Sequence, residues 1–562
     1  MRFRLRPEAI VLVQMLFGFG LACLCFLAGI RLGGWQFWIS LAFGLGLAAL
    51  QSRRTFLLVL ALNALMFILT LYTFTYHHCD AGICHLPMAQ FLEEGWNPVR
   101  ECSHEIVLSH FYDHGITHEV DGRLDFQALH VLLDPKLVQV LAAQMQAGCG
   151  LFTAAGYPLW FTVFALAALA FRTAREVLSA PVWVSLAFAL LICCNTELTV
   201  GSLQGQVDLV TYNAIALAGL SLVLWNRSKS TSDLVVFFTA LVFAMTSKFN
   251  GLFPSVLLLG LAAWFGRNDR AMRRGLLLFA ASLALFRLLP YWTSAYWFGS
   301  PLYPAHTFRA GVPLPDLTYD FIGLNEEARQ MGYFARMVYA WVSPKLALWG
   351  CRFWYANPDF VPVWRWGWLT EGGTWFQRLC LWSGLAASFF CRRNVMTFVS
   401  WAVFLTFFLL PTKYIGYTRY AAQVHLAVIL AWFNFASERP ERVRRWLWIA
   451  GAALAARLMA IVYEDFLRPL RTEAVLQRNI RVMRTLGVSY AFDSSDDTSW
   501  TWAMPVRERL ALDGLSIGFD DKDAELLTTE WNMALGGRGC RQVWQHGYGW
   551  PVNIPKPKPL WK

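Results

Sequence analysis

The sequence predicts an all-α polytopic membrane protein with about thirteen transmembrane helices, large extracytoplasmic loops and a small extracytoplasmic C-terminal α/β domain. Three observations lead to this fold class. The 562-residue chain is 57% hydrophobic and only 15% charged, whereas soluble globular chains are about 25% charged. It contains 27 tryptophans, a residue enriched where membrane helices meet lipid headgroups. Its apolar residues also form runs approaching the roughly 20 residues that a helix needs to cross a bilayer.

Successive hydrophobic runs define the predicted helices. They cover 8–30, 34–50, 55–75, 152–171, 180–198, 206–225, 233–247, 252–265, 275–296, 377–391, 394–411, 419–435 and 446–463. The first run follows three arginines and is interpreted as a retained span, since no cleavable signal peptide is evident. The apolar stretch 137–151 is too short to span with its neighbours, so we expect a partly buried interfacial helix there.

The basic residues indicate the topology. With the N-terminus in the cytoplasm, alternate connections hold nineteen lysines and arginines inside, whereas the short outer connections hold only Arg31, Lys248, Lys413 and Arg419. This asymmetry follows the positive-inside rule, and it places the C-terminus outside. It also keeps the runs at 233–247 and 252–265 separate, because merging them would move the arginines of RNDRAMRR outside. The inner set is Arg2, Arg4, Arg6, Arg53, Arg54, Arg172, Arg175, Arg227, Lys229, Arg267, Arg270, Arg273, Arg274, Arg392, Arg393, Arg439, Arg442, Arg444 and Arg445.

Two domains are predicted. Residues 1–464 form the transmembrane domain, with outer loops at about 76–136 and 297–376, and residues 465–562 form the extracytoplasmic C-terminal domain. The net charge of +11 does not indicate a nucleic-acid partner, because the basic residues lie between apolar runs. There is no Walker loop, Rossmann fingerprint or serine nucleophile elbow, and the inner connections are too short to bind a cytosolic nucleotide-sugar.

The segment 76–98, YHHCDAGICHLPMAQFLEEGWNP, gathers ionisable groups just beyond an apolar run. Asp80 is suited to orient or deprotonate a hydroxyl at the water–lipid boundary, with His85 as its orienting partner. The alternative is that Asp80 is a solvated loop residue. Cys79 and Cys84 flank Asp80 on the oxidising side, so they form either a disulfide that fixes the loop or two free thiols.

The pattern D-x4-HLP-x3-F-x3-GWNP, beginning at Asp80, resembles the first outer loop of bacterial integral membrane glycosyltransferases of the C superfamily. These are relatives of the protein O-mannosyltransferases and of the aminoarabinose transferases of lipid A. Similar landmarks follow in the same order: GQVDLVTYN (205–213), SKFNGLFP (247–254), GSPLYPAHTF (299–308) and TKYIGYTRYAAQVHLAVILA (412–431). The chain differs in having two extra spans before the one preceding Asp80 and in lacking an Asp-Glu pair there.

The resemblance implies a multi-pass enzyme of the bacterial inner (cytoplasmic) membrane. It would move a sugar from a polyprenyl-phosphate-linked donor to an acceptor hydroxyl on the extracytoplasmic face, with inversion at the anomeric carbon. The acceptor is left open among a glycan, a lipid and a protein, and the other partners are membrane lipids.

A lipid phosphate at the outer face needs cationic partners. The candidates are Arg287, Lys413, Arg419 and Lys248, and the alternative for each is interfacial anchoring or snorkelling to headgroups. Further residues would line the cleft or, for the acids, pair with these cations: His78, Glu197, Asp208 and Tyr303. A second catalytic acid stays undecided among Asp316, Asp320, Glu326 and Glu327.

No cofactor is assigned, and a divalent metal is one alternative. His110, His114 and His118 have the i, i+4, i+8 spacing that would place them on one helix face as metal ligands. The other interpretation is that they are hydrogen-bonded loop histidines. Two other functions also stay open. A lipid or sugar transporter or flippase would require inverted repeats and midplane charges, and an assembly protein would keep this fold without activity.

Overall fold

The computed structural model describes residues 4–73, 85–113, 128, 130–150, 156–193, 207–286, 291–298, 335, 375–409, 423–456, 459, 490–491 and 517–518. These residues are predominantly helical. The helices are α1 (Pro7–Ala28), α2 (Gly34–Gln51), α3 (Arg53–Thr73), α4 (Leu86–Glu94), α5 (His104–Asp113), α6 (Leu137–Cys149), α7 (Gly156–Glu176), α8 (Val182–Cys193), α9 (Asp208–Ser228), α10 (Thr231–Ser247), α11 (Leu252–Phe265), α12 (Arg270–Phe286), α13 (Thr293–Phe298), α14 (Trp375–Phe389), α15 (Val395–Leu409), α16 (Gln423–Ser437) and α17 (441–456).

Each predicted apolar run overlaps at least one of these helices. Four helices in the described part of the chain are long and apolar enough to cross a membrane: α1, the Arg53–Leu71 part of α3, α7 and α9. Five shorter apolar helices accompany them: α8, α10, Phe249–Phe265, Val395–Thr406 within α15, and α16. The chain is therefore a helical protein with four candidate spans among its described residues, and the count of thirteen stays a prediction.

One end of the assembly is held together by Arg172. The guanidinium of Arg172, near the end of α7, lies 3.1 Å from Glu8 Oε1 in α1 and 2.9 Å from Asp233 Oδ1 in α10. The backbone N–H of Arg6 also donates to Ser232 Oγ at 3.1 Å. The starts of α1 and α10 and the end of α7 thus lie side by side, and we call this the Arg172 end.

The opposite end contains the pair of Lys248 and Asp208, whose Nζ and Oδ1 atoms lie 2.5 Å apart. Lys248 directly follows α10, and that helix of 17 residues separates the two ends by about 25 Å. We call this the Lys248 end. Residues predicted to be cytoplasmic, Arg6 and Arg172, thus lie away from residues predicted to be outer, Asp208 and Lys248. This separation is what an alternating topology requires.

The centre of the assembly is α9, whose residues 208–225 are all buried. Several polar groups inside the apolar assembly are paired with one another. Gln14 Nε2 donates to Asn63 Oδ1 at 2.9 Å and to Tyr157 Oη at 3.1 Å, which connects α1, α3 and α7. Since lipid offers no hydrogen bonds, such interhelical pairing is how membrane helices accommodate amides.

The segment from α4 to α6 covers the Lys248 end. Asn97 Nδ2 donates to the carbonyl of Phe26 at 2.9 Å, and Arg100 donates to the carbonyl of Leu27 at 2.6 Å, so both satisfy carbonyls at the end of α1. Gly34, at the start of α2, lies so close to Gly148 that a Cβ there would overlap the backbone of the last turn of α6. The stretch predicted to form a partly buried interfacial helix forms α6, whose first nine residues are buried, and its interfacial position stays a prediction.

The C-terminal region is described only at two short strands. β1 (Tyr490–Ala491) and β2 (Ile517–Gly518) pair in parallel, with Tyr490 opposite Ile517. These strands do not support an α/β domain, and the remainder of 465–562 lies outside the described residues. Most of the predicted loop at 297–376 lies outside them as well.

Candidate functional site

A cluster of five titratable groups lies at the Lys248 end: His85, His130, Asp134, Asp208 and Lys248. His85 immediately precedes α4, and His130 and Asp134 precede α6, whereas Asp208 begins α9 and Lys248 follows α10. The charges of His130, His85 and Lys248 all act on the Asp134 carboxylate. Residues from two apolar helices and from the covering segment therefore meet in one electrostatic environment. We call these five residues the Lys248 cluster.

The shortest described contact in the Lys248 cluster is the ion pair of Lys248 with Asp208. The Asp208 side chain is almost fully buried, with 1% of its surface exposed, and it lies in the first turn of α9, where the helix dipole favours a carboxylate. Lys248 has an extended backbone between α10 and the short 3-10 turn Phe249–Gly251. The Lys248 amine therefore pairs with a carboxylate of the chain. Pairing with a cation is one of the two roles that the sequence analysis leaves open for Asp208.

Asp134 is a carboxylate that the sequence analysis does not single out. His130 Nδ1 lies 3.3 Å from Asp134 Oδ2, and the Asp134 backbone N–H donates to the His130 carbonyl at 3.0 Å. Burial raises the pKa of Asp134, but His130, His85 and Lys248 more than offset this and hold the pKa below its usual value. Asp134 is therefore ionised at neutral pH and able to accept a proton or a hydrogen bond.

Lys136 fixes the backbone around this carboxylate. Its buried Nζ donates to the carbonyls of Leu132 at 2.8 Å and Asp134 at 2.7 Å, and it lies 5.7 Å from the centroid of the Trp96 ring. Burial lowers the pKa of Lys136 to about 8, although Asp134 and Cys102 act in the opposite direction. The Lys136 amine hydrogen-bonds two carbonyls of the same turn, so it fixes the backbone position of Asp134.

His85 is held by Gln139. The Gln139 amide nitrogen lies 2.8 Å from His85 Nδ1. When Nδ1 accepts this bond, the neutral imidazole carries its proton on Nε2. The other amide atom, Gln139 Oε1, is buried without a hydrogen-bond partner among the described residues. The imidazole is thus oriented by a partner that has hydrogen-bonding capacity left over.

Two more buried hydroxyls near this end have unused hydrogen-bonding capacity. Ser247, which ends α10, and Ser294, in α13, have no hydrogen-bond partner in the described part of the chain. Just before α13, the Tyr291 hydroxyl donates to the Met245 carbonyl in α10 at 2.7 Å. Because a buried hydroxyl without a partner costs free energy, these atoms are available to a bound polar molecule.

Several predicted site residues lie outside the described residues. They are Asp80, His78, Arg287, Lys413, Arg419, Glu197, Tyr303, His114 and His118, together with Cys79, Cys84 and the four alternatives for a second acid. Chain connectivity still constrains two of them. Asp80 precedes His85 by five residues, which span at most about 18 Å. Arg287 directly follows Phe286, whose ring stacks 6.3 Å from that of Phe19 in α1.

The predicted metal ligands are represented by His110 alone. Its ring stacks on Phe91 at 4.9 Å and meets the Trp96 ring at 6.5 Å. Among the described residues no group of three or more His, Cys, Asp or Glu side chains is arranged to hold a metal ion. In its described contacts, His110 of α5 therefore packs as an aromatic ring against Phe91 of α4 and against Trp96.

Asp134, Lys136 and Gln139 were missed at the sequence level. The stretch HVLLDPK does place His130 and Asp134 four residues apart, the spacing of neighbours on a helix. An Asp-Pro pair after an apolar run is also typical of a simple turn, so this signal alone does not separate a site from a connection. Lys136 and Gln139 gain significance only from their partners Asp134 and His85.

Comparisons with known proteins add no family or fold assignment. No protein-family model matches the chain, and neither the curated proteins nor the solved structures contain a significant match.

Proposed function

We propose that this chain is a membrane glycosyltransferase that moves a sugar from a polyprenyl-phosphate-linked donor to an acceptor hydroxyl, with inversion. The observation that carries the proposal is the Lys248 cluster, a set of interacting acids and bases at one end of apolar helices. Ionisable groups at the edge of an apolar assembly are expensive to keep there and usually serve a function. The resemblance of the Asp80 segment to glycosyltransferases of the C superfamily supplies the reaction class.

The acids have distinct roles in this proposal. The acceptor hydroxyl loses its proton as it attacks the anomeric carbon, so a carboxylate must accept that proton. Asp80 is that base, and His85 orients it. Asp134 is the second carboxylate, held ionised by its positive neighbours, and it binds another acceptor hydroxyl or the developing positive charge on the sugar.

The donor phosphate is assigned mainly to Arg287, Lys413 and Arg419. The charge of Lys248 is already offset by Asp208, so Lys248 helps to position the donor phosphate more than it neutralises the phosphate charge. Cations at this interface offset the charge that builds on the leaving polyprenyl phosphate. His78, Glu197 and Tyr303 are proposed to line the cleft, and no metal is required by these roles.

The proposal places the Lys248 end outside the cytoplasm in a bacterial inner membrane, with the N-terminus inside and the C-terminus outside. It includes the thirteen-span topology, in which helices shorter than 18 residues complete their spans with flanking residues. The extracytoplasmic C-terminal domain belongs to the same proposal. The bias of basic residues toward the predicted inner connections supports this orientation.

The test uses membranes that contain the full chain and a polyprenyl-phosphate donor with a radiolabelled sugar. We expect label to leave the lipid fraction and appear in an acceptor fraction, and Asp80→Asn to abolish this transfer at normal protein level. Asp113→Asn, an exposed carboxylate at the end of α5, is the matched control and should transfer label normally. Normal transfer by Asp80→Asn would overturn the catalytic assignment. Label that crosses the membrane while attached to its lipid would instead identify a flippase.

A further inference from the structure

A basic patch lies at the Arg172 end, on the turn between α11 and α12. The segment RNDRAMRR places Arg267, Arg270, Arg273 and Arg274 within eight residues, and all four are exposed. None of them forms an ion pair within the described part of the chain. The one acid within this segment, Asp269, caps α12, because its Oδ1 accepts from the Met272 backbone N–H at 2.9 Å.

The basic patch continues into an apolar surface on the same face of α12. Arg270, Arg273 and Arg274 lie on the same face of α12 as Leu277 and Leu278, since residues three, four, seven and eight positions apart share a face. The two leucines are 72% and 71% exposed, whereas Met272 and Phe279 on the other side are buried. One helix face therefore presents charge first and apolar surface about one turn later.

The orientation of α12 places its arginines at the Arg172 end. Phe238 in α10 lies against Gly275 so closely that a Cβ there would overlap its ring, and Phe238 is five residues after Asp233 of the Arg172 network. The far end of α12, Phe286, packs against Phe19 in the later half of α1. α12 consequently runs parallel to α1 and α10 and begins at the Arg172 end.

Trp264 extends the same surface from α11. Its ring is 64% exposed, and the Arg267 guanidinium lies 5.0 Å from the ring centroid. Exposed tryptophans and arginines mark the depth at which helices meet headgroups. Furthermore, cations are disfavoured in the first turns of a helix, where the dipole favours anions, so this arginine cluster is stabilised when an anion covers it.

We propose that this patch, Arg267, Arg270, Arg273 and Arg274 with Trp264, Leu277 and Leu278, binds an anionic phospholipid. The guanidinium groups bind the headgroup phosphate, for which their planar fork is well matched. The leucine face and Trp264 contact the acyl chains. A soluble anion would use the arginines only, so the leucine face is what favours a lipid over free phosphate. This site lies at the opposite end of the helices from the Lys248 cluster and does not depend on the proposed reaction.

The test is native mass spectrometry of the full chain in detergent, titrated with dioleoyl phosphatidylglycerol or dioleoyl phosphatidylcholine. We expect the wild type to bind the anionic lipid more tightly. Arg270→Gln, Arg273→Gln and Arg274→Gln combined should lower that affinity at least about tenfold, because each basic residue near anionic lipid contributes substantially. The control combines Arg53→Gln, Arg54→Gln and Arg227→Gln, which removes the same charge from exposed positions predicted on the same side.

Three results would overturn the proposal. The first is an R270Q/R273Q/R274Q variant that binds the anionic lipid as the wild type does, and the second is an equal loss in the control, which would indicate a diffuse charge effect. The third is displacement of the lipid by millimolar inorganic phosphate together with full binding by Leu277→Ser/Leu278→Ser, which would indicate a free-anion site. Unchanged phosphatidylcholine binding shows that each variant is folded.

Discussion

Lys248 Nζ and Asp208 Oδ1 lie 2.5 Å apart and connect the end of α10 to the start of α9. The pair is also part of the electrostatic environment of Asp134, since Lys248 helps to lower the pKa of that carboxyl. Its position therefore affects two properties, the packing of two central helices and the ionisation of a candidate catalytic group. These two effects are separable by mutation.

A double-mutant cycle on this pair should be strongly non-additive. Lys248→Met leaves the buried Asp208 carboxylate without this partner, and we expect a loss of about 3–5 kcal/mol in unfolding free energy. Asp208→Asn in the same chain should recover much of that loss, because it removes the uncompensated charge. Thermal unfolding in detergent measures both effects. Additive losses would contradict the ion-pair assignment.

The same variants separate stability from activity. D208N/K248M is expected to be near wild type in stability but impaired in sugar transfer, because the Lys248 charge no longer acts on Asp134. Full transfer by this double variant would show that the pair serves only to hold α9 and α10 together.

Asp134→Asn should reduce transfer about 100-fold or more while leaving the unfolding temperature within a few degrees, as expected for a group that stabilises developing charge in the transition state. His130→Gln should reduce transfer less, since His85 and Lys248 still favour the ionised carboxylate. The comparison is made on initial rates with Asp113→Asn as the control. Equal, small effects of both changes would place Asp134 outside the reaction.

The apolar helices were predictable from the sequence, and the site was predictable only in part. The runs at 233–247 and 252–265 appear as α10 and α11, because Lys248 and Gly251 interrupt one apolar stretch and the arginines beyond it require a second helix. Asp208 and Lys248 were identified as outer-face groups, but their partnership depends on two helix ends that lie forty residues apart.

Asp134 and Gln139 were not predictable, because their importance depends on how the α4–α6 segment packs across the Lys248 end. Local sequence specifies a turn and an apolar helix there, and it does not specify that Gln139 meets His85 at 2.8 Å. The C-terminal α/β domain was inferred from a helical pattern and turn residues. Such local signals do not supply the long-range strand pairing that defines a sheet.

The lowered pKa of the buried Lys136 amine makes the stability of the protein depend on pH in a specific range. Its pKa in the folded chain is about 8, below the ordinary value of 10.5, because burial disfavours the charged amine. Between these two values the unfolded chain binds more protons than the folded chain, so this group adds stability as pH rises through the window. Below the window the full cost of burying the ammonium is present.

The measurement compares wild type with Lys136→Met over a series of pH values. The difference in unfolding free energy should move in favour of the wild type from pH of about 8 upward and should be flat at lower pH. The comparison cancels groups that titrate in both proteins. A difference that stays constant throughout would show that Lys136 is not buried as an ammonium.

Gly44 and Gly46 provide a matched pair for testing how α2 packs on α1. A Cβ at Gly44 would overlap the side chain of Gln14, whereas a Cβ at Gly46 would meet nothing within 4 Å. Gly44→Ala therefore displaces the Gln14 amide from Asn63 and Tyr157, and overpacking of this kind costs about 1–3 kcal/mol. Gly46→Ala should be neutral or slightly stabilising, since alanine is the better helix former. Unfolding temperatures of the two variants in detergent decide the matter, and equal values would mean that α1 and α2 do not pack through Gln14.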